Sequence, residues 1–228
     1  MASTHDRARR RVVITGMGWV TPLGHDVEAV WSRLLKGDSG VGRISRFDAS
    51  TFSTDFAAEV RDYRLEDFLP AAARHADAGL NTRFALGAAA KAWAQAGLGQ
   101  PPGSRPNARL SRRRIGVYLG SGEGSLDFEN FVATNLAGWD AATRALDAKR
   151  WAAAAYERMR AAREIEQEPN MPLSHIADAF GAGGPAYNCL TACAASTQAI
   201  GEATEILRRG DADVMIAGGA HTMIHPLG

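Results

Sequence analysis

No apolar run in this chain approaches the ~18 residues that a membrane-spanning helix needs, so no such span is expected. The start carries arginines but no apolar h-region, so it does not read as a secretory signal. Charge of one sign is lacking too. Lys plus Arg is 26 and Asp plus Glu is 25, a net charge of +1, which points to no polyanionic partner and to no nucleic acid. Residues 1–10 read as a solvated basic tail, in which Arg7, Arg9 and Arg10 run on into Arg11. Cysteine is scarce. Cys189 and Cys193 make no disulfide framework, and both are expected reduced in a cytoplasmic setting.

Several cofactor motifs are missing as well. Gly16-Met17-Gly18 follows an apolar run, but Thr21 stands where a dinucleotide fingerprint needs its third glycine. Those glycines are read as serving a tight turn. Gly120, Gly122 and Gly124 alternate without a following Lys-Ser/Thr, so there is no P-loop, and no Gly-x-Ser-x-Gly elbow occurs. His221 and His225 are four apart, but no carboxylate or cysteine joins them. No metal and no cofactor is expected.

What is present is an α/β pattern. With 46% hydrophobic residues, a chain of this length can bury roughly 70% of its unfolded surface. Val12 to Thr15 reads as a strand, and Asp26 as the N-cap of a helix over Val27 to Lys36. Arg43 to Tyr63 is loop and short strand. Thr82 to Ala96 is an alanine-rich helix stopped by Gly97, and Gln100 to Asn107 a proline-rich surface loop. Ile115 to Leu119 is an apolar strand. Residues 140–168 are strongly helical, with Trp151, Ala155, Met159 and Ala162 on one face and Pro169 closing the run.

The richest segment is GPAYNCLTACAASTQAIGEATEILRRGDADVMIAGGA, Gly184 to Ala220. Pro185 to Leu190 reads as a short buried strand. Ala194 to Arg209 is helical, with Ile200, Ala203 and Leu207 on one face. Gly210 ends it, with Arg208 and Arg209 near the negative end of the dipole. Val214 to Ala217 is an apolar run bounded by Asp213 and Gly218-Gly219, as a parallel strand should be. The result is a βαβ unit with Cys193 at the start of its crossover helix. Free N–H groups there stabilise negative charge on sulfur, the nucleophilic form, and the Cys193 N–H can donate to an oxyanion. Small neighbours (Ala192, Ala194, Ala195, Ser196) leave room for a bulky electrophile. The competing reading is a buried thiol acting as a small hydrophobe.

The text around the cysteine resembles the β-ketoacyl-acyl-carrier-protein synthases, the elongating condensing enzymes of the thiolase superfamily. Gly184, Ala192, Cys193, Ala194, Ala195, Ser196 and Ile200 fit that family's nucleophile pattern, while Cys189 departs from a position that is usually aliphatic. RRVVITGMGWVTPLG (Arg10 to Gly24), IGVYLGSGEGS (Ile115 to Ser125), GDADVMIAGGA and the Pro226-Leu227-Gly228 ending match in the same order. The resemblance is nearest the type II elongation synthases.

It implies the N-terminal half of a thiolase-like αβαβα fold: residues 1–228 as one ketosynthase N-terminal domain, a mostly parallel sheet, and a buried nucleophile helix. Against the family pattern, residues 140–168 read as a helical insertion. The resemblance also implies an enzyme, an acyltransferase working in fatty-acid or polyketide-type elongation. Cys193 would be its nucleophile and backbone oxyanion donor, with Gly122 and Glu123 lining the acyl pocket. Alternatively, Glu123 points away and caps or pairs with an arginine. The implied partners are acyl-carrier protein, bearing phosphopantetheine-linked acyl and malonyl groups, and a second copy in a homodimer. Metal and nucleotide play no part in the implied chemistry. The family's His-Gly-Thr-Gly-Thr segment, its second catalytic histidine and its Gly-Phe-Gly-Gly segment do not occur here. His5, His25, His75, His175, His221 and His225 lie in other contexts. The chain as given is therefore expected to hold half of an active site and not to be competent alone. The alternatives are a non-catalytic, chain-length-factor-like partner subunit, against which the retained Cys193 argues, and a thiolase-type acyltransferase using coenzyme A.

Overall fold

A computed structural model describes residues 10–99, 110–124 and 127–226. Arg7 and Arg9 of the basic tail, the loop Gln100 to Asn107, Ser125, and Leu227 and Gly228 of the closing motif lie outside the described residues. In chain order come α1 (Val27–Leu35), β1 (Val41–Arg43), β2 (Phe56–Ala58), α2 (Leu80–Gln95) and β3 (Ile115–Ser121). There follow α3 (Phe128–Gly138), β4 (Trp139–Asp140), β5 (Ala145–Leu146), α4 (Ala148–Arg158) and α5 (Ala161–Glu164). The last elements are α6 (Met171–Phe180), β6 (Ala186–Cys189), α7 (Ala195–Arg209) and β7 (Val214–Ala220).

The main sheet has the order β6-β3-β7, and both pairings are parallel. Parallel strands need cover on both faces, and here helices supply it. On one face α2 and α6 bury Leu86, Ala90, Trp93, Ile176 and Phe180 against Val117 and Leu119 of β3. The rings of Trp93 and Phe180 lie 5.2 Å apart at the helix–helix seam. On the other face lies α7. Its buried stripe is Ala195, Ala199, Ala203 and Ile206, with small side chains where the helix meets the sheet. Ile200, expected on that stripe, is instead exposed. Three of the four stripe residues are alanine, so the backbones approach closely and the bulkier Ile200 is left on the open side.

Helix ends follow the chain's own signals. The Asp26 carboxylate accepts from Ala29 N at 2.9 Å and starts α1. Gly181 and Gly210 end α6 and α7 in the left-handed conformation, at φ 61° and 82°. Arg114 holds the far end of the sheet through both carboxylate oxygens of Asp213, at 2.6 and 3.0 Å, and through Gly210 O at 2.7 Å.

Further expectations need correcting. The strand within Pro185 to Leu190 is not a buried one: of β6 only Cys189 is buried, and Tyr187 is exposed because β6 lies at the edge of the sheet. Val12 to Thr15 forms no strand. Val13 and Ile14 are 72% and 75% exposed, and no strand among the described residues pairs with the segment. The glycines after it do not serve a turn. A Cβ on Gly16 would lie 2.0 Å from Ala92 O, and one on Gly18 2.1 Å from Ala88 O, so both let an extended chain lie directly on α2. The run at 140–168 is not one helix. It opens with the β4–β5 hairpin and breaks at Met159, whose ψ of 138° is extended. The first of its helices, α4, packs back on α3, with Trp151 against Gly138. Of the basic tail, Arg10 is in contact: its guanidinium reaches Leu207 O at 3.5 Å, at the C-terminal end of α7.

Candidate active site

Cys193 sits in a one-turn 3-10 segment, Ala192–Ala194, between β6 and α7, and its side chain is exposed. The residue before it, Ala192, has φ 50°, a left-handed conformation that costs a residue with a Cβ about 1–2 kcal/mol. The strain is held by its surroundings. Ala194 N donates to Thr191 O at 3.1 Å, and the Thr191 hydroxyl bonds Gln198 Oε1 in α7 at 2.8 Å. The Cys193 N–H makes no hydrogen bond among the described residues, so it is available to an oxyanion beside the sulfur.

Beneath this turn is a shelf made by three strands in register. Gly120 of β3 pairs with Cys189 of β6 on one side and with Gly219 of β7 on the other. The first turn of α7 rests on that row. A Cβ on Gly120 would lie 2.4 Å from Ala195 C, and one on Gly219 2.9 Å from Ser196 Cβ. The Cys189 thiol is buried and donates to Ala195 O at 3.3 Å. Cys189, the departure from the family pattern, is therefore the third small residue of the shelf and ties the strand to the helix above it. The two cysteines differ in kind: one thiol is enclosed and bonded, the other is open.

Gly122 and Glu123 leave the end of β3 that carries the shelf. Gly122 lies against the His221 ring, where a Cβ would be 2.7 Å from Cε1. Glu123 is exposed and makes no ion pair among the described residues, so the arginine pairing weighed for it is not seen. Its backbone carbonyl accepts from Asn81 Nδ2 at 2.7 Å. Ser121, just before, donates to Pro169 O, with the Asn188 amide of β6 2.7 Å away. No group of three or more His, Cys, Asp or Glu suited to a metal ion occurs among the described residues. No described helix is long and apolar enough to cross a membrane.

Sequence reasoning did not find the roles of Gly120, Gly219, Cys189 and Ala192. The Gly-x-Gly-x-Gly alternation that begins in β3 at Gly120 and the glycine pair in β7 were the available signals.

The family described as beta-ketoacyl synthase, N-terminal domain, matches residues 9–228. The chain belongs to that family. It is 35% identical over 221 residues to the chloroplastic 3-oxoacyl-[acyl-carrier-protein] synthase I of Hordeum vulgare, covering 96% of this chain and 44% of the relative. It is 34% identical to 3-oxoacyl-[acyl-carrier-protein] synthase 2 of Staphylococcus aureus (strain COL), covering 94% and 46%. Among solved structures, the ishigamide ketosynthase/chain length factor superposes with a TM-score of 0.74 at 26% identity, covering 95% of this chain and 48% of that one. A β-ketoacyl synthase from Burkholderia phymatum STM815 gives 0.72 at 25%, covering 94% and 48%. The chain thus spans about half the length of the relatives it matches. The fold is the N-terminal half of a thiolase-like ketosynthase, with α2 and α6, the parallel sheet, and α7 as successive layers.

Proposed function

We propose that this domain is the nucleophile-bearing half of a 3-oxoacyl-acyl-carrier-protein synthase. The observation that carries the reading is the open Cys193 thiol at the head of α7, on its shelf of small residues, in a chain of this family. In the proposed reaction the Cys193 thiolate attacks the thioester carbonyl of an acyl group carried on phosphopantetheine. A C–S bond forms to Cys193, the old C–S bond breaks, and the carrier thiol leaves with a proton. Malonyl-carrier protein then loses carbon dioxide, and its carbanion equivalent attacks the acyl-Cys193 carbonyl. A C–C bond forms, the Cys193 thiolate is released, and the product is a β-ketoacyl thioester. The chemistry that assists decarboxylation is assigned to residues outside this domain.

The test is formation of β-ketoacyl-carrier protein from acyl- and malonyl-carrier proteins. The 228-residue chain alone is expected to give no product above background, and the chain joined to, or mixed with, the second half of such an enzyme to give robust product. Condensation by the 228 residues alone would overturn this division of labour and turn attention to His221, beside Gly122. The chain-length-factor reading predicts no acylation of Cys193 in any combination.

The partner set includes acyl-carrier protein, as the names of the barley and staphylococcal relatives suggest, and a second copy of the chain. The second copy is placed on β6. It is an edge strand among the described residues, with Tyr187 in it 53% exposed and Leu190 just after it 56% exposed, and such an edge invites pairing. Light scattering on the full-length protein should read a dimer, and Tyr187→Lys should shift it toward monomer; a dimer unmoved by that change would place the interface elsewhere. We place the protein in a reducing compartment such as the cytoplasm, because its nucleophile must stay a free thiol. Recovery of Cys193 in a disulfide from cells would contradict this.

A further inference from the structure

Two buried titratable groups and a half-buried third, His175, taken up by none of the chemistry above, lie behind the loop that carries Gly122 and Glu123. His75 is 2% exposed and Glu166 6% exposed. The His75 and His175 rings face each other Nδ1 to Nδ1 at 2.8 Å. His175 Nε2 lies 2.8 Å from Glu166 Oε1, and Gly79 N donates to Glu166 Oε2 at 3.3 Å. Gly79 is the N-cap of α2, so the carboxylate also sits at the positive end of that helix.

The chain of contacts continues into the loop by two routes. Gly124 N donates to Gln167 O at 2.9 Å, and the Gly124 backbone lies so close to Glu166 that a Cβ there would be 1.9 Å from Glu166 O. From the other side Asn81, two residues after Gly79, donates to Glu123 O at 2.7 Å. The loop is gripped between the first turn of α2 and the turn around Glu166. The Glu166 carboxylate joins those two grips to each other and to the histidine pair.

The arrangement has a fixed proton count. An Nδ1–Nδ1 hydrogen bond holds one hydrogen, and His175 must spend its Nε2–H on Glu166. With both rings neutral, His75 Nδ1–H donates to His175 and every N–H is satisfied; only the His75 Nε2 lone pair lacks a partner. One added proton creates a buried His75 Nε2–H with no acceptor, which costs about 1–3 kcal/mol. A second sets N–H against N–H and breaks the pair. We infer that His75, His175 and Glu166 form a proton-sensitive clamp. It holds the Gly122–Gly124 loop, which leaves the shelf end of β3, when His75 is neutral and loosens it as His75 takes up a proton.

Direction and window follow from the surroundings. Burial first, then the His175 ring, hold His75 below the ordinary 6.5; Asp178 opposes, Arg74 adds to the lowering, and Glu166 opposes. Asp178 and Arg74 largely cancel as an ion pair at 3.0 Å. A histidine whose folded value is depressed favours the folded, clamped state above the unfolded value, and that contribution is lost as pH falls below 6.5. The clamp therefore opens on the acid side.

Its effect on acyl transfer rests on the reading of Cys193 above; the clamp itself does not. Hydrogen exchange at Gly122 to Gly124 in the full-length protein separates the two. Between about pH 7 and pH 5, intrinsic-rate-corrected exchange should rise about tenfold in the wild type, with β3 unchanged. His75→Gln keeps a side-chain N–H for His175 but does not titrate, so its loop should stay protected through that range. Asn81→Ala cuts one grip and leaves the triad intact, so its loop should exchange about tenfold faster even at neutral pH. Equal pH profiles for wild type and His75→Gln, or an Asn81→Ala loop as protected as wild type, would overturn the clamp. The Cys193 acylation rate, measured alongside, should lose its acid limb in His75→Gln. If exchange behaves as expected and Cys193 is never acylated, the clamp stands and the catalytic reading falls.

Discussion

Replacing Cys193 by serine in the full-length protein is expected to abolish acyl transfer while leaving the fold intact. The side chain is exposed and makes no hydrogen bond that the fold depends on, so the stability change should stay within about 0.5 kcal/mol. The chemical change is large. A serine hydroxyl at neutral pH has almost none of the anionic character of a thiol, and no side-chain base contacts this position among the described residues. A drop of at least about 10³ in acylation rate follows, since removing a nucleophile typically costs that or more. Peptide mapping after an acyl-thioester donor or a cerulenin-like epoxide supplies the companion measurement. The adduct should sit on Cys193 alone, because the Cys189 thiol is enclosed beneath the helix and donates to Ala195 O. An adduct on Cys189, or undiminished acylation of the serine variant, would remove the nucleophile assignment.

How far the sequence leads depends on whether a feature is local. The βαβ unit around Cys193 was legible because each boundary has its own chemical marker: the glycine before β6, Gly210 after α7, and the apolar run of β7. The same local rule misled at Val12 to Thr15. An apolar run before a glycine reads as a strand, yet strand formation depends on a partner, and none of the described strands lies beside it. Helical periodicity at 140–168 was real on both sides of Met159, but a single residue with extended ψ divides it, and no proline or glycine marks the break.

The supports of the candidate site are the least legible part. Gly120, Cys189 and Gly219 come together only through the register of three strands spread over about a hundred residues. His75 meets His175 across a gap of 100 positions. Neither juxtaposition leaves a periodic trace. Cys193 itself could be singled out because a strand-to-helix turn is a local event; what holds that turn in place is not.

The shelf gives the second large expected effect. In Gly120→Ala the new methyl would lie 2.4 Å from Ala195 C, 2.7 Å from Ala195 O and 2.7 Å from Ser196 N, all backbone atoms. No flexible side chain can move aside, so β3 must retreat from α7 or the helix must lift at the end carrying Cys193. Overpacking of this kind costs about 1–3 kcal/mol and sometimes more, or roughly 2–4 °C of Tm per kcal/mol at this chain length. Function should suffer more than stability, because a displacement of about 1 Å at a reacting group can cost 10²-fold in rate. Gly201→Ala supplies the contrast. It lies inside α7, a Cβ there meets nothing within 4 Å, and its backbone carries no positive φ. Ordinary helix propensity then governs, and the change should stabilise the protein by about 0.5–1 kcal/mol. Thermal melts and acylation rates on the two variants of the full-length protein decide the matter. A Gly120→Ala protein that melts and acylates like wild type would mean that α7 does not rest on the strand row, and the support assigned to Cys193 would be wrong.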